Sequence, residues 1–189
     1  MNDSELNIYR AIKAPVRTKL EEILKLLKKD DLLSFAESFG IVGRSKMNKD
    51  KLVSEIYKHF LNPGYLEDAL LVATKEELSI FAKLLETPYS EKSEVTYGKL
   101  RYLTAMGAVF LFRQENTIYM VVPEEIKELY QLIDQKSFNQ RHKRIDEVHQ
   151  YILAMTNLYG AFSSNLPFEV YNQQNDKKMS FQEYTDIIF

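Results

Sequence analysis

The chain has no cysteine, which excludes disulfides, zinc ribbons, CxxC redox chemistry and cysteine nucleophiles together. Tryptophan is absent too, and 189 residues hold only 6 glycines and 5 prolines, which excludes collagen-like and Pro/Gly low-complexity classes. No apolar run approaches the roughly 18 residues that suggest a membrane span, so no membrane partner is expected. Asp3, Glu5 and Arg10 stand where a secretory signal needs an apolar stretch, and a cytoplasmic location is expected. An excess of one charge is also missing. The balance of 25 Lys+Arg against 27 Asp+Glu leaves −2, so the molecule as a whole is not a polybasic nucleic-acid glue. There is no Gly-rich phosphate signature, no GxSxG and no HExxH. The chain is therefore read as a non-enzyme without cofactor or metal.

What is present is ordinary globular material: 45% hydrophobic and 28% charged residues, with 12 Tyr and 11 Phe to fill a core. The charge is uneven. Residues 1–60 carry 12 Lys/Arg against 9 Asp/Glu, whereas 61–90 carry 2 against 5. The basic excess peaks over 40–51, where Arg44, Lys46, Lys49 and Lys51 face Asp50 alone.

Apolar spacing predicts a mainly α protein. A short helix over 4–13 is interrupted at Ala14-Pro15. Leu20, Ile23, Leu24 and Leu27 mark the next helix, with Pro15 suited to its first turn. Asp30 or Asp31 is expected to cap the third, which Gly40 ends. Further helices are expected up to about Phe60, over 66–73, over 75–86 with the capping box Thr74…Glu77, and over 95–106. Two β-rich runs, 108–113 and 117–122, read as a hairpin. Pro123-Glu124-Glu125 opens another helix. Residues 136–144 read as a polar linker before helices over 145–159, 165–174 and 180–189. The division expected is a helical module over 1–62, a second domain over 63–136 and a helical segment over 137–189. The ending Ile187-Ile188-Phe189 suggests either a docked terminal helix or a fragment of a longer protein.

One stretch carries a resemblance. Gly40-Ile41-Val42-Gly43-Arg44-Ser45-Lys46-Met47-Asn48-Lys49, continued by Leu52-Val53 and Ile56, follows an apolar helix. Residues 30–60 so resemble the Rho termination factor N-terminal domain, a helix–extended loop–helix module related to SAP. The resemblance implies nucleic-acid binding. The physics agrees in part: a two-glycine loop lets backbone N–H groups approach a phosphate, and the next helix start adds its dipole. Gly43, Arg44, Ser45, Lys46, Lys49 and Lys51 are the candidate contacts. Such contacts position a protein without reading bases.

Residues 66–134 have the element order of a winged helix-turn-helix, with 95–106 as the recognition helix. Lys99, Arg101 and, at the wing, Arg113 form a second candidate set. Gly98 inside that helix and the lack of basic excess weigh against it. The join of the two modules, with Val122-Pro123-Glu124-Glu125-Ile126 after the hairpin, resembles a group of uncharacterised Firmicutes-type proteins. Residues 172–183 resemble a degenerate EF-hand loop, but Lys177 replaces its glycine and only Asp176 and Glu183 are acidic, so an ordinary helix–turn–helix is expected. His142, Asp146 and His149 share a helical face without a fourth ligand, and a solvated helix start is expected. DNA or RNA is the partner expected. The alternative is a protein partner or self-association through the same modules, since tyrosine is enriched at interfaces.

Overall fold

A computed structural model describes residues 11–91, 99–115 and 117–188. The protein is mainly helical with one β-hairpin. It divides into two compact units, Met1–Ile133 and Asp134–Phe189. The expected 62/63 boundary lies inside the first unit, and the expected 136/137 boundary lies close to the observed one.

The described part of the first unit begins with a non-helical segment. The expected 4–13 helix lies mostly outside the described residues. The described part, from Ala11, is not helical, because Ile12 pairs with a strand: its N–H donates to the Leu111 carbonyl at 2.8 Å and its carbonyl accepts the Arg113 N–H at 2.9 Å. Helix α1 (Leu20–Leu26) starts five residues after Pro15, with Leu20, Ile23 and Leu24 buried. Its first N–H is capped from afar, by the Glu125 carboxylate at 2.8 Å. Helix α2 (Lys29–Ser38) starts after Lys28 rather than after Asp30 or Asp31. Asp31 instead sits in the first turn and accepts the Lys28 N–H at 3.3 Å. The helix ends as expected at Gly40, φ +65°. Ile41 N–H donates to the Ala36 carbonyl and Gly40 N–H to that of Glu37, which is the Schellman pattern.

A three-residue 3₁₀ turn, Arg44–Lys46, leads to α3 (Lys49–Phe60), whose N-cap Asn48 accepts the Lys51 N–H at 2.9 Å. Leu52, Val53, Ile56 and Phe60 are buried. Helix α4 (Pro63–Val72) starts earlier than expected, since Asn62 caps it and Pro63 needs no N–H in the first turn. Helix α5 (Lys75–Leu85) carries the expected Thr74…Glu77 box. Strand β1 (Ser90–Glu91), between the helices expected over 75–86 and 95–106, is followed by helix α6 (Arg101–Ala105). Strands β2 (Phe110–Gln114) and β3 (Thr117–Val121) form the hairpin, paired from Phe110↔Val121 to Gln114↔Thr117. The sheet order is β1-β3-β2, antiparallel throughout. Helix α7 (Glu124–Gln131) closes the unit. Of the expected 95–106 helix only Arg101–Ala105 is α-helical among the described residues; 95–98 lie outside them.

The second unit is a helical trio: α8 (Gln135–Tyr159), α9 (Leu166–Gln174) and α10 (Phe181–Ile188). The expected linker over 136–144 is the first part of α8. Its polar residues are mostly good helix formers, Asp134 caps it, and Phe138 and His142, one turn apart, are buried. Val148, Tyr171, Met179 and Tyr184 form the buried cluster. No described helix is long and apolar enough to cross a membrane.

Candidate nucleic-acid interface

The 43–51 loop is built by two glycines and one cap. Gly40 turns the chain out of α2, and Gly43, φ +76°, turns it into the 3₁₀ segment. A left-handed residue followed by a right-handed turn points successive N–H groups to one side, a geometry that suits an anion. Gly43, Ser45, Lys46, Lys49 and Lys51 are exposed, and Arg44 is half-buried. Val42, between the glycines, is 88% exposed. The loop is therefore open to solvent rather than sealed beneath another segment.

Two of its cations are engaged. Arg44 pairs with Glu37 of α2 at 2.9 Å. Lys49 Nζ donates to the Lys25 carbonyl at 2.6 Å, one of the carbonyls left over at the end of α1. Lys25 itself pairs with Glu21 at 2.7 Å, and its ammonium is held above its ordinary pKa by that hydrogen bond and charge, with a lesser contribution from Asp50. Both ion pairs lie at the surface, where such pairs contribute about 0–1 kcal/mol.

The second candidate set is placed differently. Lys99 pairs with Glu76 at 2.6 Å, and Arg113 Nε donates to the Glu115 carbonyl at 2.9 Å. Arg101 is exposed beside an open depression of about 340 Å³ that Glu77, Tyr102 and Ala105 also line. Glu77 is only 4% exposed. One of its oxygens accepts from the N–H and hydroxyl of Thr74, both at 3.1 Å. The other accepts from the N–H groups of Tyr102 at 3.0 Å and Leu103 at 3.4 Å. A carboxylate thus occupies the start of α6, where an anionic backbone would have to come. Sequence reasoning found the Thr74…Glu77 box but not this second use.

In the second unit, the Arg144 guanidinium grips both oxygens of Glu183, the Lys178 carbonyl at 2.7 Å, the Lys177 carbonyl at 3.5 Å and the Tyr171 hydroxyl at 3.4 Å. Its pKa is raised chiefly by the Glu183 hydrogen bonds. The loop with the EF-hand outline therefore closes around a guanidinium. His142 is buried against Phe138 rather than solvated, their rings 5.9 Å apart. Among the described residues no group of three or more His, Asp or Glu is placed to hold a metal ion. No family model, curated protein or solved structure matches the chain.

Proposed function

We propose that the protein is a non-enzymatic nucleic-acid-binding factor, with phosphate held at residues 43–51. The observation that carries this reading is the open cationic loop itself. Lys46, Lys49 and Lys51 stand exposed around a left-handed glycine turn that runs into the start of α3. The resemblance of 30–60 to the Rho termination factor N-terminal domain supports it. Arg44 joins the contact set once it leaves Glu37. Lys99, Arg101 and Arg113 are not given a role, since Glu76 and Glu77 set negative charge beside the first two and Arg113 is bound to its own turn.

The test is an anisotropy titration of labelled duplex DNA and single strands at 50–300 mM salt. About four phosphate contacts, Arg44 included, give a log–log slope near −3.6 on duplex and about −2.8 on a single strand. Replacing Lys46, Lys49 and Lys51 together with alanine should weaken binding and remove most of that slope. Unchanged affinity in the triple variant would refute the site, and absence of binding by the wild type at 50 mM salt would refute the function.

A second reading has its own observation. In the second unit Leu153, Leu158, Tyr159 and Phe181 are exposed, Leu158 by 74%. Such residues suit a protein partner or a second copy. On this reading no nucleic acid shifts at low salt, and Leu158→Asp lowers the mass measured in sedimentation equilibrium.

A further inference from the structure

From the rings beside the loop we infer that the nucleic acid is single-stranded, with one base stacked on His59; this rests on the reading that residues 43–51 hold phosphate. Phe35, Phe39 and His59 form a three-layer stack. Phe35 and Phe39 lie 6.2 Å apart and 19° from parallel; Phe39 and His59 lie 5.2 Å apart and 12° from parallel. His59 is the outer layer and is exposed. Phe39 is held edge-on by Phe60 at 5.1 Å and Tyr65 at 4.9 Å, both at 88°, so the platform under His59 is fixed before any ligand arrives.

The stack and the cations stand at opposite ends of α3. Phe39 caps α2 and touches the C-terminal end of α3 at His59 and Phe60. The chain leaving Phe39 must then run back along α3 to reach Lys49, a helical distance of about 15 Å at 1.5 Å per residue. His59 stands at the C-terminal end of α3, and Lys49, with Lys46 just before the helix, stands at the N-terminal end. A flexible strand can place phosphates on the lysines and turn a base onto the ring. In a duplex the base faces are covered by their neighbours, so an exposed ring outside the groove gains nothing. Bases stack on histidine as on other aromatic side chains when they are splayed from a single strand.

The experiment compares three probes of equal phosphate count: oligo-dT, a duplex and an abasic strand. His59→Ala should weaken oligo-dT binding by about 5- to 150-fold and leave duplex and abasic binding where they were. His59→Tyr should restore it, which separates stacking from any charge on the imidazole. Lys46→Ala with Lys49→Ala should weaken all three probes. If the wild type prefers duplex, or if His59→Ala leaves oligo-dT binding intact while the lysine variant loses it, the inference is overturned and the phosphate loop stands. If neither variant changes any probe, or no probe binds, the phosphate reading falls and the inference falls with it.

Discussion

Replacing Glu77 with alanine removes one buried carboxylate from two helix starts at once. Four donors lose their acceptor: the Thr74 N–H and hydroxyl and the N–H groups of Tyr102 and Leu103. Losing the reciprocal cap at α5 costs about 1 kcal/mol. Each buried N–H left without a partner costs about 1–3 kcal/mol, the Leu103 bond at 3.4 Å being the weaker of the two at α6. Against this, the carboxylate's own desolvation penalty disappears. The net expected is a loss of about 2–4 kcal/mol, from the balance of cap, hydrogen-bond and desolvation effects. At roughly 4 °C per kcal/mol for a unit of this size, Tm should fall by about 8–16 °C in calorimetry. Glu77→Gln keeps one acceptor but aims an NH₂ at a donor, and should lose about half as much. Amide exchange supplies a local readout: Tyr102 and Leu103 should lose protection before the core of α3 does. Glu76→Ala is the control, because Glu76 pairs with Lys99 at the surface. If Glu77→Ala melts with Glu76→Ala, the shared carboxylate does not join α5 to α6 and the reasoning is wrong.

Two glycines give a paired test. A Cβ on Gly107, φ +69°, would lie 2.3 Å from Phe60 Cζ, whereas one on Gly40, φ +65°, meets nothing within 4 Å. Gly40→Ala should therefore cost only the left-handed strain, about 1–2 kcal/mol, while Gly107→Ala adds overpacking for a total of about 3 kcal/mol or more. Urea midpoints decide, and equal losses would refute the packing argument. Arg144→Ala should destabilise the second unit by about 2 kcal/mol, less than a fully buried pair because Glu183 is partly exposed. Millimolar calcium should leave the wild-type midpoint unmoved, since Arg144 already uses the Glu183 carboxylate and the Lys178 carbonyl; a chelator-reversible shift would refute this.

Short-range chemistry was legible in the sequence. The 3- and 4-residue spacing of Leu20, Ile23 and Leu24, Gly40 as a helix stop, and the Thr74…Glu77 box depend on neighbours within one turn, and all three stand in the structure. Elements completed at long range were not legible. Ile12 becomes strand-like only because β2 lies beside it, a hundred residues along the chain. Ser90 and Glu91 are strand through their pairing with β3, nearly thirty residues along the chain. The supposed linker over 136–144 misled because helix formers on a solvated face look like a polar loop unless the single buried row, Phe138 and His142, is weighed. For the candidate site the cations could be read but their partners could not. Glu37 lies seven positions from Arg44 and Glu76 lies 23 from Lys99, and neither spacing implies contact. The parallel rings of Phe39 and His59 depend on how α2 packs on α3, which no local pattern specifies.

Two of the arginine–carboxylate pairs among the described residues, Arg44–Glu37 and Arg144–Glu183, differ in how available the cation is. Arg44 is 35% exposed by side chain and Arg144 is 14% exposed. Arg44 makes one ion pair, to a glutamate that is itself mostly solvated. Releasing it returns both groups to water at a cost of about 0–1 kcal/mol, which one phosphate contact with counterion release can offset. Arg144 donates to one carboxylate, two carbonyls and a hydroxyl, and so ties α8 to the 177–178 turn, to α9 and to α10. Removing it from these acceptors would strand several of them, and no surface ligand compensates for that. On the proposed reading, the same chemistry would serve binding in the first unit and architecture in the second, with burial deciding between them. The same criterion predicts the order of salt sensitivity. Raising salt from 50 to 300 mM should weaken nucleic-acid binding through the 43–51 loop steeply while leaving the melting of the second unit nearly unchanged. A second unit that loosened in parallel with binding would show that burial had not shielded Arg144.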